Sequence, residues 1–316
     1  MSDKVSHEES LVYVDKVMFV GDVHLKAQNP ACRKDNYAEA VLKKLSWVKD
    51  YCHERRIHDV VFLGDFFDTP TVAWSLFTQV MQTLQGMKDL NIRCHAIVGN
   101  HDIRYDRLET LNETSLGVLF LAGLLNRLSE HPILLSSDGS KIVGFDYTQK
   151  ITPNSDEDIE NKANVICVAH EYFQCDFSDE TLQSEDLYEG KYPVYVFGHD
   201  HSPYLPMKKD LWTLYRPGSL SRNSSEAHNR MRIPRVLVFD SKNDIWNFVD
   251  VSVAKSPQDV IMVTAEDNAL SMFDLVETLC SSYNENASSV REYVNGMGLP
   301  DEIHTIVVQY LDKLGV

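Results

Sequence analysis

The sequence predicts an α/β fold, in which short buried strands alternate with longer amphipathic helices. Two observations carry this prediction: β-branched runs of four or five residues recur over the first 200 positions, and segments with apolar residues at spacings of three and four separate the first of these runs. A chain of 316 residues has room for one large domain and a small addition. The six cysteines are scattered without a C-x-x-C pair, so we expect a reducing compartment and no disulfide framework.

The first half of the chain predicts three strands with two helices between them. The strands are expected at 17–20, 59–63 and 94–98, and the helices at 36–54 and 73–90. On the first helix Ala38, Val41, Leu45 and Val48 share one face. Each strand ends in a glycine followed by a polar residue that can bind a metal, namely Gly21-Asp22, Gly64-Asp65 and Gly99-Asn100.

The second half predicts more strands and then a helical tail. A helix is expected around 115–128, and strands are expected at 133–135, 141–145, 165–169 and 194–197. The region 212–253 is rich in strand-forming residues, contains no good helix and is expected to complete a second sheet. Helices are predicted at 272–283, 289–295 and 300–314. These patterns divide the chain into a domain at 1–255 and a small helical region at 256–316.

The net charge of −17 argues against broad binding to nucleic acid or to an anionic membrane, but the charge is unevenly distributed. Residues 154–189 carry eleven acidic side chains and one basic one, and residues 256–316 carry ten acidic and two basic ones. Between these blocks, residues 203–239 carry seven basic and two acidic side chains. The total charge therefore does not exclude a DNA substrate, and it predicts weak, salt-dependent binding by this chain alone.

Five polar segments follow predicted strands, and parallel strands bring such segments to one edge of a sheet. They are Asp22-x-His24, Gly64-Asp65-x-x-Asp68, Gly99-Asn100-His101-Asp102, His170 and Gly198-His199-x-His201. The side chains offer imidazole, carboxylate and amide groups without a thiolate, which suits Mn²⁺, Fe²⁺ or Zn²⁺. Seven candidate ligands are too many for one ion and suit two ions that share a carboxylate; they are Asp22, His24, Asp65, Asn100, His170, His199 and His201.

These segments, in this order, resemble the motif of the calcineurin-like metallophosphoesterase superfamily. The resemblance covers residues 22–201 and implies a four-layer α/β/β/α sandwich of two mixed sheets, with two divalent metal ions, Mn²⁺ being expected and Fe²⁺, Zn²⁺ or Mg²⁺ the alternatives. It further implies that one ion is held by Asp22, His24, Asp65 and His201, and the other by Asp65, Asn100, His170 and His199. By the same resemblance His101 contacts the phosphate and protonates the leaving oxygen, while Asp68 orients His101.

Within the superfamily, three features resemble the DNA-repair nuclease branch, which includes the SbcD-type subunits and the recombination nucleases of tailed phages. Asp22-Val-His24-Leu25 resembles the D-x-H-L of that branch, although Lys26 replaces the usual glycine. Pro217-Gly218-Ser219 resembles its P-G-S segment, and the end of the chain, 291–314, is similar to the end of the phage subunits. The segment after Asp68 departs from the protein phosphatase pattern, so that branch is not expected.

The resemblance implies a Mn²⁺-dependent DNA exonuclease with single-strand endonuclease activity. Such an enzyme acts as a homodimer beside an SMC-like ATPase in the cytoplasm of a bacterium or phage-infected cell. The polar start of the chain and the lack of an apolar run of about 20 residues predict no membrane segment. The acidic region 256–316 is expected to dock a protein, either as a reduced cap or as a partner-binding segment.

The basic block supplies the expected DNA contacts, which are Arg216, Ser219, Arg222 and Arg230. The alternative is a solvated basic surface that balances the acidic segment before it, with Pro217-Gly218-Ser219 as a simple turn. Two other functions remain open at this point: a phosphodiesterase of cyclic nucleotides or other small diesters, and a non-catalytic scaffold with a phosphoesterase fold.

Overall fold

The structure, a computed structural model, describes residues 13–136, 139–174 and 181–261. Its strands are β1 (Lys16–Val20), β2 (Asp59–Phe62), β3 (Arg93–Ala96), β4 (Asn126–Arg127), β5 (Ile133–Leu134), β6 (Lys141–Phe145), β7 (Val165–His170), β8 (Val194–Gly198), β9 (Met207–Lys208), β10 (Thr213–Tyr215), β11 (Arg235–Asp240) and β12 (Ile245–Asp250). Its α-helices are α1 (Tyr37–Arg55), α2 (Trp74–Asp89), α3 (Ser115–Leu121), α4 (Asp156–Glu160), α5 (Ser184–Gly190), α6 (Ala227–Met231) and α7 (Pro257–Val260).

The strands form two mixed sheets of six strands each. The order is β12-β11-β1-β2-β3-β4 in the first sheet and β5-β6-β7-β8-β10-β9 in the second. In the first sheet β1 to β4 run parallel, and β11 pairs antiparallel with β1. In the second sheet β6, β7, β8 and β10 are parallel. The carboxyl ends of the parallel strands carry the polar segments that the sequence singled out.

Three apolar clusters separate the layers. One lies between the first sheet and helices α1 and α2, where Val41 and Leu84 pack with Val60. A second lies between the two sheets, and the third packs α5 against the outer face of the second sheet. The four-layer α/β/β/α order expected from the sequence is therefore confirmed.

The capping residues at the two ends explain where α1 begins and ends. The carboxamide of Asn36 accepts a hydrogen bond from the Glu39 main-chain N–H, which caps the first turn. Arg56 adopts a left-handed conformation and ends the helix. The buried face carries Val41, Leu45 and Val48, as the spacing predicted.

Two predictions for the second half were wrong. Only β10 of the region 212–253 joins the second sheet: β11 and β12 extend the first sheet beside β1, and the short helix α6 interrupts a region predicted to have none. The helix predicted at 115–128 ends at Leu121, because Gly123 turns the chain with a positive φ and β4 follows. The helices predicted after residue 261 lie outside the described residues.

The described residues contain no helix that is long and apolar enough to cross a membrane. The division of the chain at residue 255 stays a prediction, because most of the second region lies outside those residues.

Candidate metal centre

The polar segments meet where two glycines let the strand ends approach each other closely. A side chain at Gly99, after β3, would collide with the main-chain nitrogen and the carboxylate of Asp65. A side chain at Gly198, the last residue of β8, would collide with the carbonyl oxygen of Leu63, which follows β2. Because residue 198 is a glycine, the end of β8 can lie against the end of β2, and the two sheets meet at the edge that carries the candidate ligands.

Three of the candidate ligands have an unusual backbone conformation. His24, Asp65 and His199 have φ angles of 46°, 47° and 79°, in the left-handed region that side chains other than glycine rarely occupy. Such conformations persist only where surrounding structure enforces them, and they concentrate at functional sites. The main-chain bond from His24 N–H to Asp65 O, 2.9 Å, is part of that enforcement.

Asp65 lies at the middle of the centre. Its Oδ2 atom is 3.5 Å from Nε2 of His24 and 3.3 Å from Nε2 of His170, while Oδ1 accepts the main-chain N–H of His101 at 2.9 Å. A carboxylate oxygen between two imidazoles has the position required of a ligand shared by two ions.

On one side of Asp65, ligand atoms of Asp22, His24 and His201 lie within 4.8 Å of one another. The Nε2 atoms of His24 and His201 are 2.8 Å apart. Oδ1 of Asp22 accepts the main-chain N–H of His199 at 2.9 Å, but its Oδ2 atom is buried without a hydrogen-bond partner. A buried carboxylate oxygen without a partner is costly unless it binds a cation, so this donor set fits a metal ion.

On the other side, ligand atoms of Asp65, His170 and His199 form a second group within the same distance. Oδ1 of Asn100 is 3.2 Å from Nε2 of His170. The Nδ1 atom of His170 lies 2.7 Å from the carbonyl oxygen of Leu63, which fixes the ring with Nε2 toward the centre. The structure thus brings all seven predicted ligands together. A third group within the same distance joins His24 and Asp65 to His101.

Burial and charge shift the pKa values of these groups strongly. Burial lowers the pKa of His170, but the carboxylates of Asp65 and Asp22 outweigh this effect and raise the pKa to about 10. Burial and the neighbouring charge of His170 lower the pKa of His199 to about 3. Burial also raises the pKa of Asp65, yet His170 and His24 outweigh it and keep that pKa well below the usual range. Without a bound ion, the surroundings of His170 therefore favour its protonated form and those of His199 favour its neutral form.

His101 and Asp68 are neighbours, but not in the way that the sequence analysis expected. Nδ1 of His101 lies 2.9 Å from the main-chain oxygen of Asp68, and the ring is exposed. The Asp68 carboxylate instead faces Lys26, at 2.8 Å, and His24, at 3.3 Å. Asp68 therefore orients His101 through its carbonyl group, which fixes Nδ1 and leaves Nε2 for a substrate.

Asp102, which belongs to the Gly99-Asn100-His101-Asp102 segment but was given no role from the sequence, is a structural residue of the centre. Its buried carboxylate accepts the main-chain N–H groups of Phe66, Phe67 and Gly99, at 3.3, 3.1 and 3.0 Å. Burial and the nearby Asp65 charge raise its pKa to about 7. Asp102 ties the segment after β2 to the segment after β3, and its place next to His101 in the motif was the available signal.

The segment that carries these residues also matches a known protein family. The family model described as calcineurin-like phosphoesterase matches residues 15–203. The chain belongs to this family. Members act as hydrolases of phosphoesters and typically bind two divalent metal ions, for which the ligand clusters described above are the candidates.

Solved structures of similar proteins include TT1561 of Thermus thermophilus, 8% identical, with a TM-score of 0.47 over 75% of this chain and 99% of that chain. They also include a dimetal phosphatase from Danio rerio, 10% identical, with a TM-score of 0.46 over 72% of this chain and 93% of that chain.

In this phosphoesterase, three of the four residues expected to contact DNA are buried. Ser219 Oγ donates to the carbonyl oxygen of Asp22 at 2.8 Å, and Arg222, 2% exposed, donates to the carbonyl oxygens of Arg232 and Lys255. Arg216 pairs with Asp200 at 3.0 Å. Their prediction as surface contacts is therefore corrected, since their polar groups are used inside the protein.

The Pro217-Gly218-Ser219 segment supports a metal ligand instead. Gly218, with φ of 75°, packs against Gly21, and the N–H of Leu220 donates to the carbonyl oxygens of Gly21 and Asp22 at 3.1 Å. The segment thereby positions Asp22. Neither of the two roles expected for the segment, a simple turn or a DNA contact, accounts for these hydrogen bonds. Arg230, the fourth predicted residue, is half-buried.

A second set of exposed arginines follows His101 in the chain. Arg104, Tyr105 and Arg107 follow Asp102 closely in the chain and are exposed, Tyr105 to 86%. The loop is closed by main-chain contacts between Arg104 and Arg107. Its signal in the sequence was two arginines around a tyrosine shortly after the GNHD motif.

Proposed function

We propose that this phosphoesterase is a two-metal DNA nuclease: a Mn²⁺-dependent exonuclease with endonuclease activity on single strands. The observation that supports a DNA substrate is the exposed loop 104–107, Arg-Tyr-Asp-Arg, which begins three residues after His101 in the chain. Arginines bind backbone phosphates, and an exposed aromatic ring stacks on bases of any sequence.

The side chains of the centre suit hydrolysis of a diester. Asp65 lies between two clusters that would hold the ions, Asp22, His24 and His201 on one side and Asn100, His170 and His199 on the other. Two ions held there would supply Lewis-acid activation of water and would neutralise charge on the phosphorus oxygens. His101, exposed and held at Nδ1 by the Asp68 carbonyl, presents Nε2 to the leaving oxygen, to which it gives a proton.

The proposal includes the partners expected from the sequence. A homodimer is supported by large exposed apolar side chains, Trp74 at the start of α2 and Leu121 at the end of α3. An SMC-like ATPase is the expected second partner, with the acidic region 256–316 as its docking segment, and the cytoplasm is the expected location. The net charge of −17 favours a partner that adds DNA affinity.

The test compares three substrates with Mn²⁺ present: linear duplex DNA, circular single-stranded DNA and bis(p-nitrophenyl) phosphate. We expect both DNA forms to be degraded. The variant Tyr105→Ala should lower DNA cleavage about tenfold, as expected for loss of one stacked base, and leave cleavage of the small diester unchanged. Tyr13→Ala, which removes an exposed tyrosine ring before β1, at the opposite end of that strand from Asp22, is the matched control.

Two outcomes would contradict the nuclease proposal. Turnover of the small diester without DNA cleavage, also when a candidate ATPase is added, would favour a small-diester phosphodiesterase. Fewer than one bound ion per chain together with no turnover of any substrate would favour the non-catalytic scaffold.

A further inference from the structure

Lys26 lies two residues after the candidate ligand His24, and its side chain is turned inward. Its Nζ atom is 2.8 Å from Oδ2 of Asp68, and the side chain is only 24% exposed. The same Nζ lies 5.8 Å from the centre of the Tyr37 ring, whose hydroxyl donates to the carbonyl oxygen of His24. Lys26 is thus in contact with two groups that in turn contact His24.

Asp68 connects the ammonium to the imidazole. Its Oδ1 atom lies 3.3 Å from Nδ1 of His24, as an ion-pair contact with poor hydrogen-bond geometry. His24 is buried, so water does not replace this partner. The three groups form a chain from Lys26 through the Asp68 carboxylate to the outer nitrogen of His24.

The contact between Asp68 and Nδ1 of His24 matters because the other ring nitrogen, Nε2, faces the candidate metal ligands. Nε2 faces Nε2 of His201 at 2.8 Å and Asp65 Oδ2 at 3.5 Å. Only a nitrogen without a proton can bind a metal ion, so a metal-ready His24 carries its proton on Nδ1. The Asp68 carboxylate, facing Nδ1, favours this tautomer, and such outer contacts commonly tune metal affinity.

The main chain fixes the distance between the two segments. The N–H groups of His24 and Leu25 donate to the carbonyl oxygens of Asp65 and Phe66, and the N–H of Asp68 donates back to Leu25, at 2.9 to 3.2 Å. Asp68 therefore has a fixed backbone position relative to His24, and the rotation of its carboxylate is the remaining freedom. The Lys26 ammonium holds one carboxylate oxygen and thereby restricts that rotation.

We infer that Lys26 is a positioning residue for the metal ion at Asp22, His24 and His201, acting through the Asp68 carboxylate on His24. The competing role is a direct contact between the Lys26 ammonium and the phosphate of a substrate. The two roles differ in a measurement made without substrate, because only the positioning role changes metal affinity. The inference is also independent of whether DNA is the substrate.

The experiment measures Mn²⁺ binding to the full chain by calorimetry and by the paramagnetic signal of free Mn²⁺. Lys26→Met, which keeps the length of the side chain and removes its charge, should weaken one of two Mn²⁺ sites by about tenfold or more. Lys26→Arg should restore most of the affinity, since a guanidinium also reaches a carboxylate. The matched control is Lys242→Met, because Lys242 pairs with Asp15 at 2.7 Å near the opposite end of β1.

Asp68→Asn tests whether the effect passes through the carboxylate. This variant alone should weaken the same site, and adding Lys26→Met to it should produce little further loss, because both changes break one chain of contacts. Unchanged Mn²⁺ affinity in Lys26→Met, with a raised KM for the substrate, would overturn the inference and assign Lys26 to substrate binding. Equal, additive losses in the double variant would also overturn it.

Discussion

At the scale of single residues, Asp65 and His101 differ in their surroundings, although both belong to the candidate centre. Asp65 is buried between His24 and His170, whereas His101 is exposed and its ring contacts a carbonyl oxygen through Nδ1. The two residues lie on facing segments and are joined by the bond from His101 N–H to Asp65 Oδ1. Their variants should therefore have different effects on metal content.

Asp65→Ala should remove measurable binding at both metal sites, because it deletes the oxygen that both clusters share. His101→Ala should keep about two ions per chain and lower kcat by about 10²- to 10⁴-fold, the usual contribution of a general acid. Metal content by plasma mass spectrometry and single-turnover cleavage check the pair. Equal metal loss in both variants would show that His101 is itself a ligand, since its ring also lies within ligand distance of His24 and Asp65.

At this scale the sequence predicted which candidate ligands lie together, but it placed three of the four expected DNA contacts wrongly at the surface. Metal ligands follow strand ends in a fixed order, so His170 and His199 were identified without knowledge of the packing. The role of Arg222 depends on whether other segments of the chain pack over it. In the structure its guanidinium donates hydrogen bonds to two carbonyl oxygens in the interior. Nothing in the local spacing distinguishes a buried arginine of this kind from an exposed one.

At the scale of elements, the close approach of strand ends places strict limits on side-chain volume. Gly99 ends the β3 segment against Asp65, with no room for a Cβ atom. Gly86, in the last turn of α2, has room for a Cβ atom, because the nearest atom to an added Cβ is Cδ of Lys49 at 3.7 Å, an ordinary van der Waals contact. The same substitution should therefore have opposite effects at the two positions.

Gly99→Ala should destabilise the protein by about 1–3 kcal/mol and lower Mn²⁺ affinity, because the new methyl group displaces the Asp65 carboxylate. Gly86→Ala should stabilise it by about 0.5–1 kcal/mol through helix propensity and leave Mn²⁺ affinity unchanged. Urea unfolding in EDTA and a Mn²⁺ titration measure the two effects. Unchanged Mn²⁺ affinity in Gly99→Ala would show that the Asp65 carboxylate does not depend on this contact.

Element positions were predicted closely where the pattern was local. The strands β1, β2 and β6 lie within one residue of their predicted bounds, since each combines a β-branched run with a turn signal. The sheet to which β11 and β12 belong was predicted wrongly, because pairing between Val17 and Phe239 joins positions more than 200 residues apart. Alternation within a strand shows which face is buried but not which partner strand it meets.

At the scale of the whole molecule, the buried centre couples metal binding, pH and stability. Asp22 and Asp65 are fully buried, and in the absence of an ion they raise the pKa of the neighbouring His170 to about 10. A metal ion bound by Nε2 of His170 would have to displace a proton from that nitrogen. The stability of the metal-free protein and its affinity for metal therefore depend on pH in opposite directions.

The stability of the metal-free and metal-loaded forms should diverge as the pH rises. The pKa of His170 is raised from 6.5 to about 10 in the folded protein, so its contribution to stability is complete below pH 6.5 and is lost as the pH approaches 10. Over the same range fewer protons compete with Mn²⁺, so bound metal stabilises the fold more strongly. The Tm difference between samples in Mn²⁺ and in EDTA should therefore widen from about pH 6.5 to about pH 9. Asp65→Ala should show no metal-dependent difference at any pH, and a constant or narrowing difference in the unmodified protein would mean that His170 does not carry the displaced proton.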